Sequence, residues 1–209
     1  MTTWPILKRG LVAILRGVKP DEVLGIGEAL VAAGFEAIEV PLNSPEPFVS
    51  IELLANRYHS KCLIGAGTVL TPTDVMRLAD AGGQLLVSPN VDEAVLAEAE
   101  RQGLITMPGI FTPSEAFRAL QAGASALKFF PASALGAGGI GGVKAVLPKS
   151  TVLGAVGGVT DADFAVYAKV GVTVFGLGSS LYKPGATAAE VGERARAAVA
   201  AWDRVFPPA

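Results

Sequence analysis

Eight short apolar runs alternate with eight amphipathic stretches along the chain, and this repeat limits the possible folds more than any other feature. Runs that are apolar at nearly every position are typical of parallel strands buried on both faces. The sequence predicts strands over Leu11–Leu15, Ala37–Pro41, Cys62–Gly65, Gln84–Ser88, Ile105–Pro108, Ala126–Phe130, Val152–Ala155 and Val172–Gly176. It predicts helices over Pro20–Ala33, Pro45–Tyr58, Pro72–Ala81, Val91–Gln102, Pro113–Ala122, Gly138–Leu147, Asp161–Lys169 and Ala188–Val205.

Residues that start and stop helices support this division. Thr71-Pro72 and Thr112-Pro113 each combine a capping side chain with a proline in the first turn, and Thr160 offers a further N-cap. Glycine follows many of the predicted helix ends, where it lets the chain turn into the next strand. These glycines are Gly34, Gly82, Gly103, Gly123 and Gly171.

Eight consecutive strand–helix units predict a closed (β/α)₈ TIM barrel formed by one domain over residues 1–209, near the lower size limit of that fold. The alternative is an open doubly wound sheet. We favour the barrel because the repeat is regular and no predicted strand has the polar character of a sheet edge.

Composition excludes several classes of partner. The net charge is −2 and no basic patch is present, so we expect no nucleic-acid partner. No apolar run approaches the roughly 18 residues of a membrane span, and residues 1–10 lack the pattern of a signal peptide. The single cysteine, Cys62, excludes an intrachain disulfide and favours a cytoplasmic location. Cys62 opens an apolar run and is interpreted as a core residue.

The only histidine, His59, lies in a polar stretch that we interpret as the exposed end of a helix. Metal sites for lyase chemistry usually draw on several histidines, and a Ser-His-Asp triad would need His59 in the site. We therefore expect neither a metal site of this kind nor a triad.

Lys128 lies inside the apolar and aromatic run Ala126–Pro131. Burial disfavours an ammonium and lowers the lysine pKa, and a neutral amine can attack a carbonyl to form a Schiff base. The structural alternative is a strand-end lysine whose head reaches water or pairs with a carboxylate.

Glu39, between Ile38 and Val40, is a second ionisable residue in an apolar strand. Burial would raise its pKa and suit it to proton transfer near neutral pH. The alternative is a structural partner that neutralises Lys128 or Arg16.

Functional residues of a barrel lie at the carboxyl ends of its strands. Arg16 follows the first strand and can hold a carboxylate in a bidentate fork, and Thr68 could donate its hydroxyl to the same group. A rim salt bridge for Arg16 and a capping or turn role for Thr68 are the structural alternatives. Other polar or turn residues at these ends are Asn43, Pro89, Asn90 and Ser133.

Glycine-rich segments follow the last two strands, at Gly157-Gly158 and at Gly178-Ser179. The corresponding loops of barrels often bind phosphate through backbone N–H groups and a short helix. Two tight turns without a ligand are the alternative. With Arg16, these loops predict a phosphorylated substrate that carries a carboxylate at its other end.

Taken together, the motifs resemble the class I 2-keto-3-deoxy-6-phospho-sugar-acid aldolases over nearly the whole chain. The matching segments are Val12-Ala13-Ile14-Leu15-Arg16, Glu39-Val40-Pro41-Leu42-Asn43-Ser44, Gly65-Ala66-Gly67-Thr68-Val69-Leu70, Ser88-Pro89-Asn90, Lys128-Phe129-Phe130-Pro131, Val156-Gly157-Gly158-Val159 and Gly178-Ser179.

The resemblance implies a reversible retro-aldol reaction that needs no metal or organic cofactor and releases pyruvate and D-glyceraldehyde 3-phosphate from a phosphorylated keto acid. It implies that Lys128 forms the iminium and that Glu39 moves the protons. It implies a homotrimer. The residues expected to bind the substrate are Arg16, Thr68, Pro89, Gly157, Gly158, Gly178 and Ser179.

Two departures from the gluconate-specific members indicate the 6-phosphogalactonate branch. Those members commonly have Leu-Arg-Thr where this chain has Leu42-Asn43-Ser44, and Thr-Gly-Gly where it has Val156-Gly157-Gly158. The gluconate epimer, or both epimers, is the alternative substrate. A phosphosugar isomerase or epimerase barrel and a non-catalytic sugar-phosphate-binding barrel are alternatives of different class.

Overall fold

The computed structural model describes residues 2–207, and its strands follow the predicted repeat. Most predicted strands are shifted or shortened by one or two residues; the third, for instance, starts and ends later than predicted. The strands are β1 Leu11–Ile14, β2 Ala37–Pro41, β3 Leu63–Gly67, β4 Leu85–Val87, β5 Ile105–Met107, β6 Gly109–Ile110, β7 Leu127–Phe129, β8 Leu153–Val156 and β9 Val174–Leu177.

A helix follows every strand position of the barrel. The helices are α1 Pro20–Ala33, α2 Pro47–Tyr58, α3 Pro72–Asp80, α4 Glu93–Arg101, α5 Pro113–Gln121, α6 Ala132–Lys144, α7 Phe164–Ala168 and α8 Ala188–Val205. The predicted caps are present: Thr71 Oγ1 accepts a hydrogen bond from the Asp74 N–H, and Thr112 forms a capping box with Glu115.

All strand pairs are parallel, in the order β5-β4-β3-β2-β1-β9-β8-β7-β6. β5 and β6 form one barrel position, interrupted at Pro108, which has no N–H to donate. β5 pairs with β4 and β6 pairs with β7, and the Lys128 N–H donates to the Pro108 carbonyl across 2.9 Å. The predicted (β/α)₈ barrel is thereby confirmed, and the open doubly wound sheet is not observed.

Side chains alternate between two cores, as the twofold period of a strand requires. One set fills the space between barrel and helices and includes Leu11, Ile38 and Phe129. The other set fills the lumen at the amino ends of the strands. Its members are Val12, Ala37, Leu85, Val87, Met107, Ala126 and Val174.

The segment before β1 covers that end of the lumen. Trp4 and Leu7 pack against the lumen cluster, and Ser125 Oγ donates to the Thr2 carbonyl at 2.6 Å. The barrel thus has an apolar floor at one end, and the other end, where the strands carry their carboxyl termini, is left for the site.

The largest error in the predicted elements concerns α6. The sequence predicts a helix over Gly138–Leu147, whereas the observed helix starts at Ala132 and is interrupted at Gly136, whose φ is 68°. Four further glycines, Gly138, Gly139, Gly141 and Gly142, hide the helical period in the sequence. The helix predicted over Asp161–Lys169 is also shorter, because residues 161–163 form a 3₁₀ turn before α7.

No helix in residues 2–207 combines the length and the apolar character needed to cross a membrane. The predicted domain limits, residues 1–209, include Met1, Pro208 and Ala209, which lie outside the described residues.

Candidate active site

A cavity of about 600 Å³ opens at the carboxyl ends of the strands. Every residue predicted to contact a substrate lines this cavity, in the segments that follow β1, β3, β4, β8 and β9. These residues are Arg16, Thr68, Pro89, Gly157, Gly158, Gly178 and Ser179.

Lys128 is the central residue of β7 and is 5% exposed. It pairs in register with Gly109 on β6 and with Gly154 on β8, so that neither neighbouring strand places a side chain beside it. Its Nζ lies 4.7 Å from the centre of the Phe130 ring, which lines the cavity. The predicted burial of Lys128 is confirmed. Neither Lys128 nor Glu39 lines the cavity directly, but the Lys128 amine lies next to it, beside the Phe130 ring.

The electrostatic surroundings of Lys128 favour the neutral amine. Burial lowers the pKa of Lys128 to about 8, Glu39 acts against this decrease, and the positive charge of Arg16 adds to it. At pH 7 roughly a tenth of the amine is therefore unprotonated, far more than for an exposed lysine, and this neutral form can act as a nucleophile.

Glu39 is the central residue of β2 and is 3% exposed. Burial raises the pKa of Glu39 to about 7, although Lys128 and Arg16 both act to lower it. Its Oε2 is buried without a hydrogen-bond partner in the described residues. An unpaired buried carboxyl oxygen is costly, and it is consistent with a group that exchanges protons with a ligand or a water.

Glu39 and Lys128 influence each other's pKa, yet no salt bridge joins them in residues 2–207. The alternative in which the two side chains form an inert ion pair is thus not what the geometry shows. The two groups are close enough to interact and remain free to react separately.

Thr68 follows β3 with a φ of 57°, which is rare for a β-branched residue. It does not cap α3, because that role belongs to Thr71. Thr68 instead lines the cavity, and a strained backbone at such a position indicates a candidate ligand contact.

Arg16 lies on the rim of the cavity, two residues beyond β1. Its Nη1 donates to Asn43 Oδ1 at 2.6 Å, and no carboxylate in the described residues forms a salt bridge with it. The predicted alternative of a rim salt bridge is therefore not observed, and the guanidinium charge is left for a ligand.

The turn after β8 is packed against the start of α6. The Ser133 N–H donates to the Gly157 carbonyl at 3.1 Å. Gly158 has a φ of 72°, and a Cβ atom there would lie 2.7 Å from Ser133 Cβ. Only glycine fits at position 158, and the bare backbone of this turn faces the cavity.

The segment after β9 lies beside this turn. Ser180 Oγ donates to the Val159 carbonyl at 3.1 Å, which ties the two segments together. The N–H groups of Leu181 and Tyr182 both donate to the Gly178 carbonyl at 2.9 Å. Residues 178–182 form a turn here, not the short helix that such loops often contain.

The structure adds cavity residues that sequence reasoning missed. Tyr182, Lys183 and Pro184 line the side after β9, and Ile14 and Phe130 line the wall below. Tyr182 is 3% exposed and its hydroxyl donates to Glu22 Oε1 at 2.8 Å. Tyr182, Lys183 and Pro184 follow Gly178-Ser179 closely in the sequence, and this position is the signal that could have identified them.

The remaining candidate residues lie elsewhere. His59 is exposed at the end of α2, toward the opposite end of the barrel from the cavity, and Cys62 is buried with a pKa raised to about 12 by burial. The interpretation of Cys62 as a core residue is confirmed. Within residues 2–207, no cluster of three His, Cys, Asp or Glu side chains could hold a metal ion.

These features together form a candidate active site. A buried amine and a buried carboxyl group lie beneath a cavity that carries a guanidinium on one rim and exposed backbone turns on the other. The amine can form a covalent imine, and the carboxyl group can transfer protons beside it. The guanidinium and the backbone turns can bind a ligand with an anionic group at each end.

Comparisons with known proteins agree with this geometry. Residues 5–198 match the family model for KDPG and KHG aldolases. The chain is 57% identical to the "Probable 2-dehydro-3-deoxy-6-phosphogalactonate aldolase" of Rhizobium meliloti (strain 1021), over 97% of this chain and 95% of that one. It is 47% identical to the 2-dehydro-3-deoxy-6-phosphogalactonate aldolase of Escherichia coli (strain K12), over 93% and 95%. A solved structure named "Native KDPGal structure" superposes with a TM-score of 0.96 at 44% identity, over 99% of this chain and 100% of that one.

Proposed function

This chain belongs to the KDPG and KHG aldolase family, and on that premise we propose that it is a Schiff-base aldolase that cleaves 2-dehydro-3-deoxy-6-phosphogalactonate to pyruvate and D-glyceraldehyde 3-phosphate. The observation that carries the proposal is the buried Lys128 amine beneath the cavity, with its pKa lowered toward neutrality. An isomerase or a passive binding barrel would leave this costly feature without a purpose.

Lys128 begins the reaction. Its neutral Nζ attacks the C2 ketone, and loss of water from the carbinolamine gives a protonated imine. When the C4 hydroxyl loses its proton, the C3–C4 bond breaks and its electron pair moves into the imine, which becomes an enamine. D-glyceraldehyde 3-phosphate leaves, C3 of the enamine takes up a proton, and hydrolysis of the imine releases pyruvate and regenerates the amine.

Glu39 carries the protons in this scheme. Its pKa near 7 lets the same carboxyl group donate a proton as water leaves the carbinolamine and accept one, directly or through a water, from the C4 hydroxyl. Its unpaired Oε2 supports this role.

The cavity rims bind the two anionic ends of the substrate. We assign the carboxylate to Arg16 and Thr68, because both line the cavity and neither side chain is committed to an acidic partner or a helix cap. We assign the phosphate to Gly157, Gly158, Gly178 and Ser179, where backbone and hydroxyl donors converge. Pro89 forms part of the cavity wall between the carboxylate site and the phosphate site.

Val156 favours the galactonate epimer over the gluconate epimer. It lines the cavity at the end of β8, and a valine cannot offer the hydroxyl that a threonine there would present to the C4 hydroxyl of the substrate. The two named galactonate relatives support the same choice. The gluconate epimer remains the second candidate substrate.

Two further features belong to the same proposal: a homotrimer and a cytoplasmic location. Exposed apolar side chains such as Leu70, Met76 and Phe117 support association between copies, and the free thiol of Cys62 suits a reducing compartment. Light scattering on purified protein would give three times the 21.3 kDa chain mass, or contradict the trimer.

Trapping with borohydride tests the proposal. The protein is incubated with pyruvate, reduced, and measured by intact mass spectrometry and peptide mapping. We expect one adduct per chain, on Lys128, with the mass of pyruvic acid less one oxygen atom. Lys149 is exposed on the surface, so the K149M variant should label as the wild type does, whereas K128M should not label. Folded wild-type protein that gives no adduct would reject the imine mechanism.

A further inference from the structure

The turn after β2 is hydrogen bonded to the turn after β1 at two consecutive residues. Asn43 Oδ1 accepts from Arg16 Nη1 at 2.6 Å, and Ser44 Oγ accepts from the Gly17 N–H at 2.9 Å. Ser44 is buried, whereas Asn43 is exposed on the rim. The first bond holds the tip of the Arg16 side chain, and the second holds the backbone at its base.

This arrangement fixes a side chain that would otherwise be mobile. An arginine on a rim has several rotatable bonds and loses conformational entropy whenever it is held in one geometry. With one N–H of the guanidinium committed to Asn43, the remaining donors keep a fixed direction. Binding of a carboxylate then requires less ordering of the protein.

The chemical type of the anchor also matters. Asn43 is a neutral amide, and the described residues contain no salt bridge to Arg16. The anchor therefore orients the guanidinium without cancelling its charge. An aspartate at position 43 would pair with Arg16 and compete with the ligand, and an arginine there would place a second cation beside it and remove the acceptor.

We propose that Asn43 is a positioning residue that holds Arg16 in the orientation that receives the substrate carboxylate. The inference rests on the proposed aldolase function and assigns a role to a residue outside the reacting groups. It also gives a physical reason for the Asn43-Ser44 sequence, which departs from the Leu-Arg-Thr pattern of the gluconate-specific members.

The position of Arg16 also affects the reacting groups. Its positive charge lowers the pKa of both Lys128 and Glu39. If Arg16 swings away in an Asn43 variant, the pKa of Lys128 should rise, and imine formation should need a higher pH. Loss of a merely structural contact would not move this profile.

Pyruvate titration with borohydride trapping tests the role of Asn43. In N43A, the pyruvate concentration that gives half-maximal labelling of Lys128 should rise about tenfold, since a hydrogen bond to a charged group is lost. Labelling at saturation should stay complete. At a pH well above the pKa of Lys128, labelling by acetone, which has the ketone but no carboxylate, should be unchanged. The matched control is N56A, because Asn56 is an exposed asparagine on α2 remote from the cavity.

Two further variants sharpen the test. N43D should raise the half-maximal pyruvate concentration more than N43A does, because the new carboxylate competes for Arg16. The double variant R16A/N43A should behave as R16A alone, since Asn43 acts only through Arg16. Thermal melts of N43A and N56A should both match the wild type, because each residue is exposed.

The outcomes separate this inference from the function on which it rests. Wild-type protein that is not labelled by pyruvate at Lys128 would reject the aldolase function and this inference with it. Labelled wild type with an unchanged N43A titration would overturn the role of Asn43 alone. An equal loss of acetone and pyruvate labelling in N43A, or an added loss in R16A/N43A, would also overturn it.

Discussion

Gly67 lies directly against the carboxylate of Glu39. A Cβ atom at position 67 would stand 2.5 Å from Oε1 and closer still to Oε2. The two residues are on neighbouring strands, β3 and β2, which pair in register. The absence of a side chain at position 67 is therefore what leaves room for the carboxyl group in the lumen.

The G67A variant should displace Glu39 from its place beside the cavity. We expect turnover to fall by about 100-fold or more, as for loss of a general acid–base group, and stability to fall by about 1–3 kcal/mol through overpacking. Steady-state kinetics and chemical denaturation measure the two effects. G142A is the matched control, because a Cβ atom at that exposed helical glycine meets nothing within 4 Å. Full activity in G67A would show that the position of Glu39 is not critical.

Removal of the Lys128 amine should abolish turnover without unfolding the barrel. In K128M a linear apolar side chain replaces a buried amine whose charged form is disfavoured, so the melting temperature should stay within a few degrees of the wild-type value. Turnover should fall by at least about 10³-fold, because the buried amine that forms the imine in the proposed mechanism is lost. A K128A variant should be equally inactive. Substantial aldol cleavage by either folded variant would rule out the proposed chemistry.

Ionisation of Glu39 should make the fold less stable as the pH rises toward neutrality. Burial raises the folded-state pKa to about 7, whereas the unfolded carboxyl group titrates near its ordinary value of about 4.3. Between these values only the unfolded chain releases the proton, so the free energy of unfolding falls by roughly 4 kcal/mol and is then constant. E39Q cannot ionise. Urea titrations from pH 4.5 to 8 should show this fall in the wild type relative to E39Q, and parallel curves would contradict the raised pKa.

Val156 should determine part of the preference between C4 epimers. V156T places a hydroxyl at the cavity wall, and we expect the ratio of kcat/KM for the gluconate over the galactonate substrate to rise on the order of tenfold. The reaction is followed by pyruvate release with each epimer. V146T, at an exposed valine just after α6 that does not line the cavity, should leave the ratio unchanged. An unchanged ratio in V156T would assign epimer choice to other residues.

Substitution of Thr68 by glycine should stabilise the fold and weaken pyruvate binding. Glycine adopts a φ of 57° without strain, so T68G should stabilise the fold by roughly 1 kcal/mol. Loss of the hydroxyl should at the same time raise the pyruvate concentration needed for half-maximal imine formation. T68A removes the hydroxyl but keeps the strain, so it should share the binding defect and not the added stability. Unimpaired pyruvate binding in both variants would remove Thr68 from the carboxylate site.

The sequence alone was sufficient to predict the barrel and the two buried ionisable residues of the site, for a physical reason. An ionisable residue inside a continuous apolar strand, such as Lys128 or Glu39, is costly and stands out from its neighbours. Rules that link strand ends to function then identified Arg16, Thr68 and the glycine turns, all of which line the cavity.

Some features of the site could not be predicted from the sequence, because they depend on contacts between distant segments. The bond between Arg16 and Asn43 joins two turns that are 27 residues apart, and nothing local predicts it. Tyr182 and Lys183 lie at the cavity after a turn in which the Leu181 and Tyr182 N–H groups donate to the Gly178 carbonyl. The start of α6 at Ala132 was hidden because glycines weaken any helical pattern.

The apolar floor of the lumen has a consequence for the order of events. Trp4, Leu7 and the side chains above them close the barrel below Lys128, so reactants and products share one mouth. In the proposed mechanism the pyruvate fragment stays covalently held on Lys128 after the C3–C4 bond breaks, whereas the phosphate-bearing aldehyde is no longer attached. The aldehyde must therefore depart first and pyruvate last, and in the synthetic direction pyruvate must bind first. Product-inhibition patterns should accordingly be those of an ordered mechanism, imposed by the covalent bond to Lys128 in a barrel that opens at one end.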